Sequence, residues 1–115
     1  MSREIKFRAW NKEFDLMVYD IQKCESFACR LIDKNQEIMQ YTGLNDKFEK
    51  EIYEGDIIEE VYLGDKNIKG KIIYNKDAFE IEWISKDHFN NNILHVRNKD
   101  IQVIGNIYEA KDLLK

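Results

Sequence analysis

From Phe79 to Ile84 the chain sets Phe79, Ile81 and Trp83 against Glu80, Glu82 and Ile84. A period of two belongs to a strand that packs one face and wets the other, and it excludes a helix over the same residues. The opening segment has the same pattern: Ile5, Phe7 and Ala9 fall between Glu4, Lys6, Arg8 and Trp10, which predicts a strand with the first set inward and the second outward. Leu16 to Ile21, beyond the turn-like NKEFD, supplies a second strand and suggests a hairpin.

Further strands follow at short intervals. Glu37 to Thr42 is a third, ended by Gly43. In IYEGDII, Gly55 supplies a backbone able to turn sharply, Asp56 can accept hydrogen bonds from neighbouring amides, and the apolar run Ile57 to Leu63 starts a new strand. A loop at Gly64 to Asn67, a strand Gly70 to Asn75, a tight turn at Lys76 to Ala78 and the strand Phe79 to Ile84 complete a three-stranded meander. The asparagine-rich KDHFNNNI breaks the pattern before a short strand Leu94 to Arg97 and a closing strand Ile101 to Ile107. Tyr108 to Lys115 reads as one or two helical turns; in Ser26 to Gln36, Phe27, Leu31 and Ile32 fit neither period, so a strand pair and a short helix both stay open, and the conformation of residues 22–36 is not assigned. The fold class is therefore mainly β: a curled antiparallel sheet or partly open SH3-like barrel, with additional N-terminal strands and a short C-terminal helix. No proline, low-complexity tract or charge block marks a linker, so residues 1–115 read as a single domain, 1–48 as N-terminal strands and 49–115 as the barrel-like part.

Composition bounds the function. At 115 residues the chain is long enough to bury about two thirds of its unfolded surface without a metal or disulfide. Its apolar runs fall far short of the ~20 residues that cross a bilayer, so no membrane partner is expected. Charges at Arg3, Glu4, Lys6 and Arg8 interrupt any secretion signal, which points to the cytoplasm of a bacterial host cell. Cys24 and Cys29 stand at an odd offset, which on a strand sends them to opposite faces and on a helix separates them by about 140°, so no structural disulfide is expected. Joined with His88 and His95 they give C-x4-C and H-x6-H, a histidine spacing outside the zinc-finger pattern. No metal and no cofactor is expected.

A net charge of −4 argues against a surface built throughout for phosphate backbones, but not against a local basic patch. That patch is the N-terminal strand, where Arg8 beside an outward Trp10 offers a cation and a ring that stacks on a base. The competing reading is an edge strand guarded by Lys and Arg, with Trp10 covering the rim of a core. The carboxylates Glu51, Glu54 and Asp56 lie close in sequence and form a candidate acid–base or metal-assisted hydrolytic set, against the plainer reading of a solvated turn with one amide-capping Asp. Histidine is the side chain suited to acid–base work near neutral pH, but no Ser or Cys stands at a spacing that implies a nucleophile pair with His88 or His95. Phosphate-loop, dinucleotide, zinc-protease and nucleophile-elbow motifs are missing from the sequence. Among the tyrosines, Tyr41, Tyr53 and Tyr108 join a large ring to a polar tip, as interface residues do.

The stretch QYTGLNDKFEKEIYEGDII, Gln40 to Ile58, with its echo VIGNIYE at Val103 to Glu109 and the opening REIKFRAWN at Arg3 to Asn11, resembles the YopX family of phage and prophage proteins in register over nearly the whole chain. The resemblance implies a phage or prophage origin and brings with it no activity or cofactor. Arg8, Trp10, Tyr41, Tyr53, Glu54, Asp56 and Tyr108 are the candidate binding residues, with no catalytic set among them. The expected function is a noncatalytic protein-binding or adaptor module, which docks on a host or phage protein or forms a homo-oligomer through its open edges. One alternative is a nucleic-acid-associated accessory factor using the N-terminal basic-aromatic strand; another is a small hydrolytic enzyme using the acidic segment.

Overall fold

The computed structural model describes residues 5–23, 34–62, 66–75, 78–84, 94 and 98–110. Among these residues it is mainly β, with eight strands in two antiparallel four-stranded sheets, one of them curled strongly into a half-barrel. The strands are β1 Phe7–Asn11, β2 Leu16–Tyr19, β3 Gln36–Asn45, β4 Glu51–Tyr53, β5 Asp56–Tyr62, β6 Lys66–Asn75, β7 Ala78–Trp83 and β8 Gln102–Asn106. Their order is β2-β1-β3-β4 in the first sheet and β7-β6-β5-β8 in the second. The third segment of sequence does not stop at Gly43: β3 runs on to Asn45, and Gly43 takes φ 85° where the register with β4 shifts. β4, expected in the barrel-like part, pairs with β3 and so closes the first sheet.

The alternation of β7 holds. Phe79 pairs with Tyr74, Ile81 with Ile72 and Trp83 with Gly70, which puts these six residues on one face and Glu80 and Glu82 on the other. A cross-strand row, Val103, Ile58, Gly70 and Trp83, runs over all four strands of the second sheet. Gly70 is needed there: a Cβ on it would stand 2.7 Å from Ile81 Cγ2 and 3.2 Å from Trp83 Cε3. Ile52 of β4 joins Ile58, Ile72, Ile81, Leu94, Ile101 and Val103 in the core, with Leu44, Phe79 and Trp83 packed against it. Fully burying one such aliphatic side chain stabilises by roughly 1.5–3 kcal/mol, so this cluster holds the second sheet to the end of the first.

Three expectations need correction. β1 is not an edge strand, because β2 and β3 flank it, and Arg8 and Trp10 are buried along with Ala9. Where a central strand is covered on both faces it offers no wet side for a charge, so Arg8 and Trp10 of the outward set are enclosed, whereas Ile5 of the inward set is exposed. Leu94 is helical and fully buried instead of extended; the rest of its expected strand lies outside the described residues. Finally, no C-terminal helix is seen among the described residues. Ile107 to Glu109 is a turn in which Asn106 Oδ1 accepts the amides of Tyr108 and Glu109 at 3.0 and 2.9 Å, and residues 111–115 lie outside the described part. Residues 24–33, with Cys24 and Cys29, and the histidines at 88 and 95 also lie outside it.

Candidate functional site

The turn Glu54–Gly55 carries the chain from the first sheet into the second, and the chemistry of its neighbours follows from that crossing. Gly55 holds φ 88°, a left-handed conformation that a side chain resists. Its amide donates to Ile72 O and its carbonyl accepts from Ile107 N–H, so the turn is gripped by β6 and by the segment after β8. Asp56, one residue on, accepts the Tyr53 amide on Oδ2 at 2.8 Å and the Arg8 guanidinium on Oδ1 at 2.8 Å. Arg8 Nη2 also reaches Glu54 O at 3.2 Å. Both side chains of the Arg8–Asp56 pair are 3% exposed. Burial pushes the Asp56 carboxyl above its ordinary value, outweighing the opposing pull of Arg8 and of the Tyr53 amide.

Around this pair stand the other candidates. The Arg8 guanidinium lies 4.7 Å from the Tyr53 ring centroid, and Tyr53 meets Tyr41 at 5.5 Å between ring centroids. Burial first, and then the charge of Glu51, pushes the Tyr53 phenol up to about 12. Trp10 stacks on Tyr108 at 5.4 Å with the planes 13° apart, which ties β1 to the turn after β8. Burial likewise raises the Tyr108 phenol, with the negative charge of Glu37 adding to it. Arg8, Trp10, Tyr41, Tyr53, Glu54, Asp56 and Tyr108 therefore meet along one seam between the sheets.

The three carboxylates do not converge on one reacting point. Glu51 pairs with Lys6, Glu54 Oε1 accepts the Gln40 amide at 3.4 Å, and Asp56 holds Arg8. Among the described residues no group of three or more His, Cys, Asp or Glu stands close enough to share a metal ion.

A fourth acid escaped sequence reasoning. Asp46 is 1% exposed, although it sits in a segment that reads as a polar turn. Its Oδ1 accepts the amides of Phe48 at 2.8 Å and Lys50 at 2.9 Å, and its Oδ2 accepts the Val103 amide at 2.8 Å. The first two bonds follow the local habit of Asp in turns, and that was the available signal. The third spans the gap to β8 and has no local signature.

Two surfaces open from the seam. A cleft of about 330 Å³ is lined by Arg8, Tyr19, Lys50, Glu51, Tyr53 and Asp56 together with Val103, Gly105, Asn106 and Glu109. Tyr19, which leads from this cleft, belongs to β2, the edge of the first sheet, and is 53% exposed. Leu16 on the same strand is 55% exposed and Phe14 in the preceding turn 69%. The sequence of β2, LMVY, carries no charge. Strand edges are ordinarily guarded by Lys, Pro or a bulge, and among the described residues nothing of that kind guards this one.

The model of a family described as YopX protein matches residues 6–115. Among solved structures, the crystal structure of protein EF1440 from Enterococcus faecalis resembles this fold with a TM-score of 0.66 and 24% sequence identity, over 99% of this chain and 100% of that one. At that identity the likeness speaks for the fold alone. No curated protein matches the chain.

Proposed function

The chain belongs to the YopX family, and from the open edge of its first sheet we propose that it is a noncatalytic protein-binding or adaptor module of phage or prophage origin, at work in the bacterial cytoplasm. The observation that carries this reading is β2: four uncharged residues at a sheet edge, with Leu16 and Tyr19 more than half exposed beside Phe14. An unguarded edge takes an extended segment of another protein by main-chain hydrogen bonds, and alternate side chains set the choice. The seam supplies the rigidity. Arg8 and Trp10, which a nucleic-acid interface would need at the surface, are enclosed, and the guanidinium is spent on Asp56.

Selection of random twelve-residue peptides against the protein tests the reading. The expected peptides are extended and rich in β-branched and aromatic residues, and they slow hydrogen exchange at the Met17 and Tyr19 amides. Binding of single-stranded DNA that weakens steeply with salt, together with no peptide that protects β2, would overturn it.

A further inference from the structure

The ladder of the first sheet fixes which backbone groups β2 offers to a partner. Tyr41 N–H donates to Lys6 O at 2.9 Å and Lys12 N–H to Asn35 O at 2.7 Å, so the even-numbered residues of β1 direct their amides and carbonyls towards β3. The odd-numbered ones, Ala9 and Asn11, therefore turn towards β2, where they face Val18 and Leu16. That leaves Met17 and Tyr19 with amide and carbonyl directed outward, away from the sheet, with no further strand beside them among the described residues.

Two outward residues spaced by two make a self-complementary pattern. Resting on the binding reading above, we infer that the partner of this edge is a second copy of the chain, paired antiparallel through β2 about a twofold axis at Val18. In that register Met17 of each copy faces Tyr19 of the other as a hydrogen-bonded pair, giving four main-chain bonds, and the two Val18 residues face each other as a close non-hydrogen-bonded pair. No other twofold register uses all four outward residues within the strands. Met17 and Tyr19 lie on the face that carries Arg8 and Trp10, as their pairing with those residues shows. Met17 of the second copy thus comes to the mouth of the seam cleft, against the Tyr19 ring that lines it, a favourable sulfur–aromatic contact.

Area fits the same register. Phe14, Leu16 and Tyr19 leave more than half of their surface in water. With ~150–250 Å² per aromatic side chain, Phe14 and Tyr19 in two copies offer roughly 500 Å², to which Leu16 adds. Met17, Val18 and the paired backbone bring the total near the ~1,000 Å² of a specific but weak interface.

Sedimentation velocity over a concentration series, with two kinds of variant, tests the dimer. Met17→Pro removes an outward amide while leaving the ladder to β1 intact, and it should weaken self-association roughly tenfold or more, a loss of about 1.4 kcal/mol. In a Cys24→Ser, Cys29→Ser background, Val18→Cys should form an intermolecular disulfide on mild oxidation, because the facing Cα atoms of a close pair stand about 4.5 Å apart. Leu16→Cys should not, since its copies would lie four residues out of register. The disulfide arm decides if Met17→Pro fails to fold. A protein that stays monomeric at every concentration, a dimer indifferent to Met17→Pro, or cross-linking at Leu16 in preference to Val18 would each overturn the inference. If such a monomer still binds selected peptides at β2, the dimer fails while the protein-binding reading stands; if neither occurs, both fail.

Discussion

Replacing Arg8 by Met should cost about 3–5 kcal/mol at neutral pH, the range for breaking one side of a buried pair. The variant keeps an unbranched apolar stem but removes the guanidinium over the Tyr53 ring and strands the Asp56 carboxylate at 3% exposure. Because burial already raises that carboxyl, the variant should regain stability as the pH falls and Asp56 takes up a proton. Adding Asp56→Leu should restore most of the loss, since apolar replacement of a buried pair is often neutral or better. Urea melts of the three proteins at two pH values measure it, and an Arg8→Met protein as stable as the parent would show that the pair is not buried. Tyr53 gives a second test at the alkaline end. Its folded phenol titrates at about 12 against an ordinary 10.0, so the stability it contributes is complete below the ordinary value and is lost as the pH climbs through the folded one. Tyr53→Phe should lose less stability than the parent over that window; parallel losses would assign the alkaline transition to other groups, Tyr108 first among them.

At the scale of elements, Gly55→Val forces a β-branched side chain into φ 88° with its Cβ 3.0 Å from Met39 Sδ. The backbone strain alone is worth about 1–3 kcal/mol. A denaturant midpoint unchanged from the parent would show the turn to be relaxed. On the second sheet, Trp83→Ala should fall towards the lower end of the ~3–5 kcal/mol typical of a lost core aromatic, since the ring is only partly buried. These two elements were legible in the sequence for different reasons. β7 alternates because one of its faces is wet, and the Gly-Asp of the turn demands a backbone only glycine adopts readily. β1 misled because both its faces are covered: alternation then still reports which residues share a face but no longer which face meets water. Arg8 and Trp10 were accordingly grouped correctly with each other and placed on the wrong side of the surface. The true edge, β2, was recognised as a strand, but its neighbours are a property of sheet order, which a hairpin signal does not carry.

For the whole molecule, the question is whether two four-stranded sheets unfold as one body. The links between them were the least legible part of the sequence, because each joins residues remote in the chain: Arg8 with Asp56, Trp10 with Tyr108, Asp46 with Val103. Their placement argues for one cooperative unit, since Ile52 of the first sheet sits in the core of the second and the Lys47 amide donates to Ile101 O beside it. The two tryptophans make this measurable, because Trp10 lies in the first sheet and Trp83 in the second. With fluorotryptophan incorporated, the two native fluorine resonances should vanish at the same urea concentration. Asp46→Ala leaves the amides of Phe48, Lys50 and Val103 without their acceptor. Only the Val103 amide is buried; at about 1–3 kcal/mol for that donor left unsatisfied, the change should move both resonances together to a lower midpoint. Were only the Trp83 resonance to shift, Asp46 would be a local brace of the second sheet, and the seam would be a boundary between two folding units.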